Sequence, residues 1–371
     1  MRKNILILGH NDATQFIDIF NQYTRLFDPE KYCVTVAYLT GKENQTSRER
    51  TIAEDVIFLE IPKKDVRGFK VSAIKQLLKM TREKNYEIVI CHRYKPIYIM
   101  MWVAQFHNIP AMFLVMHELR TMKAFGRRLL AAALWRKNMY FAGVSNAVRD
   151  DLRQSLWRIP QNHIVTLYNV IDTDLTEPEL LSRDKARAAL HLNNDDFIFG
   201  SIGRLARNKD QATLIQAFNI IKPYCPNAKL VIMGEGELEP QLRQQIQECN
   251  LLNDVILTGF IPSAVKYIKA FDSFVLPSIQ EAFGRVLIEA MLAKCPIIAS
   301  RVNGIPEVMG DTGELINAKD SVGFARAMQR IYNLTPEERQ QLAEIAYRHV
   351  YDNYSIPAFS RSFWELPPLL V

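Results

Sequence analysis

Arg204 and Lys209 stand five residues apart in the run Ser201-Ile-Gly203-Arg204-Leu-Ala-Arg207-Asn-Lys209. A guanidinium fork beside an ammonium point charge on one strand-to-helix loop suits the grip of a diphosphate; a solvated loop with ordinary surface cations is the alternative. Glu281 and Glu289 form a second constellation in Glu281-Ala-Phe283-Gly284-Arg285-Val-Leu-Ile-Glu289. The spacing alone carries little. Its context adds weight, because Gly284 opens an amphipathic helical pattern after an apolar strand, and backbone N–H groups near 283–286 then offer an anion site beside two carboxylates. A nucleotide-sugar needs that combination: donors for its phosphates and carboxylates for its hydroxyls. Gly203, Gly234, Gly236 and Gly259 gather at neighbouring strand ends, where backbone can come close to a ligand. His117 closes the apolar run 112–116, and the carboxyl end of a strand is where a doubly wound sheet receives its ligand; a satisfied structural histidine is the other reading.

Several chemistries are excluded. The first apolar run ends in Gly9-His-Asn-Asp-Ala-Thr-Gln15 without the G-x-G-x-x-G fingerprint, and no P-loop motif occurs, which argues against a dinucleotide dehydrogenase and a P-loop NTPase. Asp172-Thr-Asp174 has the D-x-D spacing of some metal sites but reads as linker and helix-start acid. Cys33, Cys91, Cys225, Cys249 and Cys295 are odd in number and never paired as C-x-x-C, so neither a disulfide framework nor a zinc site is expected, and a reducing compartment fits. No metal site is predicted.

These residues need elements to hold them. Near-continuous apolar runs at 4–9, 34–39, 56–61, 88–92, 112–117 and 140–145 predict strands of a parallel sheet covered on both faces, with helices over 71–84, 96–106, 124–137 and 146–157 between them. The alternation pauses after 164–169 in an acidic linker near 171–180, and then strands over 197–204, 229–234, 255–260, 274–277 and 297–302 alternate with helices over 211–222, 238–249, 264–271, 286–294 and 322–332. The chain of 371 residues, 48% hydrophobic, has room for about two domains. The expected architecture is α/β: two Rossmann-like doubly wound domains facing a central cleft, 1–175 and 176–371, with terminal helices at about 350–371 packing back on the first.

Charge is uneven along the chain. Residues 61–158 hold 19 Lys/Arg against 6 Asp/Glu, while the whole chain has a formal charge of +6. Such asymmetry calls for an anionic partner of the first half. The segment 119–137 combines an apolar stripe with Arg127, Arg128, Arg136 and Lys137, and Lys63, Lys64, Arg67, Lys70 and Lys75 offer another basic face. An interfacial helix on anionic lipid and a core helix with a basic outer face are both open readings. Met1-Arg2-Lys3 with Ile5–Leu8 is too short for a signal peptide or a spanning helix.

Gly203-Arg204 with Lys209, Gly234-Glu-Gly236, Pro277-Ser278, and Glu281 through Glu289 with Ala290-Met291 occur in the order found in the retaining GT-B glycosyltransferases of family 4, which this sequence resembles. Asn303-Gly-Ile-Pro-Glu307, Thr312-Gly313-Glu-Leu315 and Tyr168-Asn169-Val-Ile-Asp172 are similar to further family segments. The likeness is specific over about 200–320 and looser over 1–180; the first loop lacks the family's Gly-Gly, and Arg285 stands where an apolar residue is usual. The resemblance implies that Glu281, His117, Arg204 and Lys209 do the catalytic work. It implies a donor site of Gly203, Arg204, Lys209, Gly234, Gly236, Phe260, Phe283, Gly284 and Glu289, with Glu289 on the ribose and Phe283 and Gly284 presenting backbone amides. No cofactor is implied beyond a nucleoside diphosphate sugar, of UDP type, as donor substrate. The implied acceptor is a phosphorylated or lipid-linked glycan, as in lipopolysaccharide core or other cell-envelope glycan synthesis, met at an anionic membrane surface and with no nucleic acid as partner. A cytoplasmic protein peripheral on the inner face of the membrane follows. A GT-B sugar-nucleotide epimerase and a non-catalytic nucleotide-sugar-binding scaffold are the alternatives.

Overall fold

The computed structural model describes residues 2–62, 64–66 and 70–369. Lys63 and Arg67 of the second basic face lie outside the described residues. Among the described residues the chain divides into two compact units, one of residues 1–170 with 356–371 and one of residues 171–355. The division thus falls a few residues before the predicted 175/176 boundary.

The first unit is built on a parallel sheet of β1 (Lys3–Gly9), β2 (Tyr32–Tyr38), β3 (Asp55–Phe58), β4 (Tyr86–His92), β5 (Ala111–Met116), β6 (Met139–Gly143) and β7 (Ile164–Thr166), in the order β3-β2-β1-β4-β5-β6-β7. Ile5 to Leu8 of β1 and Met112 to Val115 of β5 are completely buried, as strands covered on both faces must be. The order reverses between β1 and β4, and the carboxyl ends at such a switch point form the ligand crevice of a doubly wound sheet. The second unit repeats the plan with β8 (Phe197–Ile202), β9 (Ala228–Met233), β10 (Val255–Gly259), β11 (Ser273–Leu276), β12 (Ile297–Ser300) and β13 (Glu314–Ile316), ordered β10-β9-β8-β11-β12-β13. Its switch point lies between β8 and β11. Phe199, Leu214, Phe218, Phe324 and Met328 form part of its core.

The departures from expectation have local causes. β7 and β13 are three residues long, too brief for periodicity to show. Helix Thr14–Thr24, unread in the sequence, is rich in aromatic and β-branched residues of modest helix propensity; burial of Phe16, Ile17, Ile19, Phe20 and Tyr23 holds it. The segment expected as a helix at 264–271 winds as a tighter 3₁₀ turn, Ala264–Ala270. Helix Pro336–Tyr354 starts at a reciprocal cap between Thr335 and Glu338 and stays with the second unit, so only the chain from Ile356 onward belongs to the first. There, Phe359 meets Tyr23 at 5.0 Å between ring centroids and Phe363 meets Phe27 at 5.8 Å and Phe113 at 5.2 Å.

Candidate functional site

In the second unit the loops after β8 and β11 converge at the switch point. Ile279 N donates to Asn208 O at 2.9 Å, which ties the two loops together. Across that tie the Lys209 ammonium reaches the Glu281 carboxylate, with both side chains largely covered. Ser278 Oγ donates to the same carboxylate oxygen at 3.4 Å, and Glu281 N donates to Asn303 Oδ1 at 3.3 Å. The sequence reading gave Lys209 and Glu281 separate tasks; the fold makes them one ion pair. Arg204, by contrast, is exposed.

Helix Arg285–Leu292 follows at once, with Gly284 at its N-cap and no side-chain cap among the described residues. Gly284 has φ +87°, a left-handed conformation that other residues adopt at a cost. Phe283 is buried edge-on against Tyr354 at 5.6 Å, and the Tyr354 hydroxyl donates to Glu307 O at 2.9 Å. Glu289 lies one turn inside the helix, 4.0 Å from Arg285 Nη2, so Arg285 stands beside the acid that the resemblance assigns to ribose. Gly234 and Gly236 have a second use: a Cβ there would come within 2.0 Å of Gly203 O and 2.2 Å of Leu205 O, so their bareness admits the chain's own backbone. A Cβ on Gly259 would meet nothing within 4 Å, and the neighbouring Phe260 ring is 67% exposed. Asp172 caps helix Thr173–Thr176 by accepting from Leu175 N at 3.2 Å. Among the described residues no group of three or more His, Cys, Asp or Glu comes together that is able to hold a metal ion.

In the first unit a cavity of about 360 Å³ opens at the carboxyl ends of β1, β4 and β5. His10, Arg93, Lys95, His117, Arg120 and Arg127 line it together with Glu118. Asp151 accepts from Arg120 N at 2.8 Å, so the acidic groups here are outnumbered by cations. Arg93 lies over the Phe16 ring at 4.9 Å and Arg127 over Tyr94 at 4.4 Å, and burial pushes the Tyr94 phenol above its ordinary pKa. His117 Nε2 is 3.0 Å from Nδ1 of His92, the last residue of β4. Burial drives the His92 imidazole well below its ordinary pKa, with His117 acting in the same direction. The sequence reading gave no site role to His92 or Arg93, and took Ser278 and Asn303 only as parts of segments similar to the family's. A histidine ending an apolar strand was a usable signal for the first.

The profile of glycosyl transferases group 1 matches residues 182–349, and that of glycosyltransferase family 4 matches residues 29–175. The chain carries both glycosyltransferase domains. The group 1 domain spans Arg204, Lys209, Glu281 and Glu289, and the family 4 domain spans His92, His117 and most of the cationic cavity. A Campylobacter jejuni N-acetylgalactosamine-N,N'-diacetylbacillosaminyl-diphospho-undecaprenol 4-alpha-N-acetylgalactosaminyltransferase is 29% identical over 58% of this chain and 58% of its own length. A Rhizobium meliloti lipopolysaccharide core biosynthesis glycosyltransferase, LpsD, is 31% identical over 49% of this chain and 52% of its own. The chain spans about half the length of the curated relatives it matches. The crystal structure of Anabaena Alr3699/HepE in complex with UDP-glucose has a TM-score of 0.76 at 19% identity, covering 98% of each chain; the fold is GT-B. These likenesses do not favour an epimerase.

Proposed function

We propose that this chain moves a glycosyl unit from a nucleoside diphosphate sugar, a UDP-sugar, to a hydroxyl of a phosphorylated or lipid-linked glycan, with retention of configuration and without a bound metal ion. The observation that carries the reading is the Lys209–Glu281 pair beside the helix start at Gly284 in the group 1 domain. A cation for a departing phosphate and a carboxylate for sugar hydroxyls then lie within one contact of each other. Negative charge develops on the leaving diphosphate, and preorganised cations and helix-terminal amides stabilise it most strongly where water is sparse. Arg204 and Lys209 take that task, Glu281 orients the sugar, Glu289 binds the ribose, Phe283 and Gly284 supply backbone amides, and His117 addresses the transferred sugar.

The cationic cavity supports an acceptor that carries phosphate, because arginine and lysine side chains there match phosphate oxygens. The Anabaena relative's UDP-glucose, the diphospho-undecaprenol in the Campylobacter name and the lipopolysaccharide core in the Rhizobium name support the donor, the lipid link and the cell-envelope setting. Among the described residues no helix is long and apolar enough to cross a membrane; peripheral attachment at the inner face through helix Phe125–Leu134 belongs to the same proposal. The test incubates the protein with UDP-sugars and a diphosphate-linked lipid glycan in excess EDTA. A glycosylated product with the donor's anomeric configuration is expected. Donor epimerisation alone, nucleotide-sugar binding without turnover, or activity restored only by Mg²⁺ or Mn²⁺ would each sink part of the reading.

A further inference from the structure

His92 is completely buried, yet it is an imidazole at the mouth end of a strand whose neighbours are apolar. β4 and β5 pair in parallel with His92 opposite Val115, so His117, two residues beyond Val115, is brought over the same edge of the sheet. The two rings meet through His92 Nδ1 and His117 Nε2 at 3.0 Å. Phe20 lies 5.0 Å from the His92 ring and Tyr23 stands edge-on at 4.7 Å. Tyr23 is backed by Phe359 of the C-terminal helix, Ile356–Trp364. The outer nitrogen of His92, Nε2, is buried and has no hydrogen-bond partner among the described residues.

A bond between two imidazole nitrogens needs one proton, so the ring that donates decides the tautomer of both. Buried donors without a partner are rarer than buried acceptors without one. That preference leaves the isolated Nε2 of His92 as a lone pair and puts its proton on Nδ1, directed at His117 Nε2. We infer that His92 is a positioning residue: its Nδ1–H donates to His117 Nε2, fixing the His117 ring over the cavity with its proton on Nδ1. The proton on its Nδ1 makes that nitrogen of His117 a hydrogen-bond donor and not a base. The use made of that donor, an oxygen of the sugar or acceptor, rests on the function proposed above. The pairing itself does not.

The full chain labelled with ring-¹⁵N histidine tests the two apart. Nitrogen shifts should place protons on Nδ1 of both His92 and His117, with a through-hydrogen-bond N–N coupling joining His92 Nδ1 to His117 Nε2; His117→Gln assigns the signals. A missing coupling, or a proton on His92 Nε2, overturns the inference in the unmutated protein, whatever the variants do. In His92→Phe the His117 ring should become a mixture of tautomers and kcat should fall about tenfold or more with KM little changed. In His92→Asn, whose amide nitrogen takes the place of Nδ1, the single tautomer and part of kcat should return. An unchanged His117 tautomer and kcat in His92→Phe would remove the positioning role. Absence of any sugar transfer by the unmutated chain would reject the proposed function while the nitrogen spectra still decide the pair.

Discussion

The Lys209–Glu281 pair gives the two cations of the proposed diphosphate loop, Arg204 and Lys209, different consequences when removed. Lys209→Ala leaves a largely covered carboxylate without its cation, and an uncompensated charge of that kind is destabilising; Arg204 is exposed and its loss costs the fold little. Both substitutions should lower kcat/KM by about tenfold or more, since each contact to developing phosphate charge is worth about 1.4 kcal/mol or more. Only Lys209→Ala should lower the melting temperature measurably. Calorimetry beside steady-state kinetics separates the two, and equal melting temperatures would mean that the ion pair adds nothing to the fold. His92 carries a pH consequence. Its folded pKa is depressed below the ordinary 6.5, so below about pH 6.5 the unfolded chain takes up a proton that the native one refuses. Stability therefore falls as pH falls through that range, by up to about 1.4 kcal/mol per pH unit. Among the described residues, Tyr23 and His117 are the titratable side chains whose rings meet it. Denaturant titrations from pH 7 to 5 should show a shallower decline for His92→Phe than for the unmutated protein.

Helix Phe125–Leu134 turns Ala131 and Leu134 inward and leaves Phe125 and Leu129 64% and 51% exposed. Its cations divide into two groups. Arg127 donates to Thr121 O at 2.7 Å and covers Tyr94, Arg128 lies 5.7 Å from the Phe125 ring centre, and Arg136 donates to Gln105 Oε1 at 3.1 Å. Lys123 and Lys137, which flank the helix, are exposed and have no such partner among the described residues. An interfacial helix binds through exposed apolar residues plus nearby cations, each worth about 1 kcal/mol at an anionic surface and screened within about 8–10 Å by salt. Sedimentation with vesicles of anionic lipid at low salt should therefore bring the protein down, neutral vesicles much less. Lys123→Glu with Lys137→Glu, or Phe125→Ser with Leu129→Ser, should weaken that binding and leave affinity for a nucleotide-sugar unchanged. Equal partition onto both vesicle types would return this face to ordinary solvated surface.

At the scale of the molecule, the last helix completes the core of the first unit. Phe363 is wholly buried between Phe27 and Phe113, and Trp364 Nε1 donates to Leu26 O at 3.3 Å. Phe363→Ala removes a packed ring, a change that costs about 3–5 kcal/mol in comparable cores. Because Tyr23 stands between Phe359 and His92, loosening this helix should also loosen the support of His117. Thermal unfolding of the variant should show the first unit melting earlier, and ¹⁵N spectra should show His117 losing its single tautomer. A melting temperature within a degree or two of the unmutated protein would mean that the C-terminal helix only covers the core.

The sequence alone determined the local and periodic part of this protein. Runs such as Ile5–Leu8 and Leu230–Met233 are apolar at every position because both faces of a parallel sheet are covered, and that pattern needs no tertiary information to be read. The candidate constellation was legible as a cluster for a similar reason: Arg204, Lys209, Gly284 and Glu289 lie close in sequence to the strand ends and helix start that present them. What tertiary structure decided were the partnerships between distant segments. Lys209 meets Glu281 across 72 positions because β8 and β11 are adjacent in the sheet; Gly234 is bare because Gly203 O needs its space; and His92 meets His117 because β4 and β5 share a register. Helix Thr14–Thr24 belongs with these, since its own propensities are modest and its form is stabilised by the ring contacts of Phe16, Phe20 and Tyr23 with segments far along the chain. Periodicity records which face of an element is buried, whereas the identity of the group waiting on the other side depends on strand order, which no local pattern encodes.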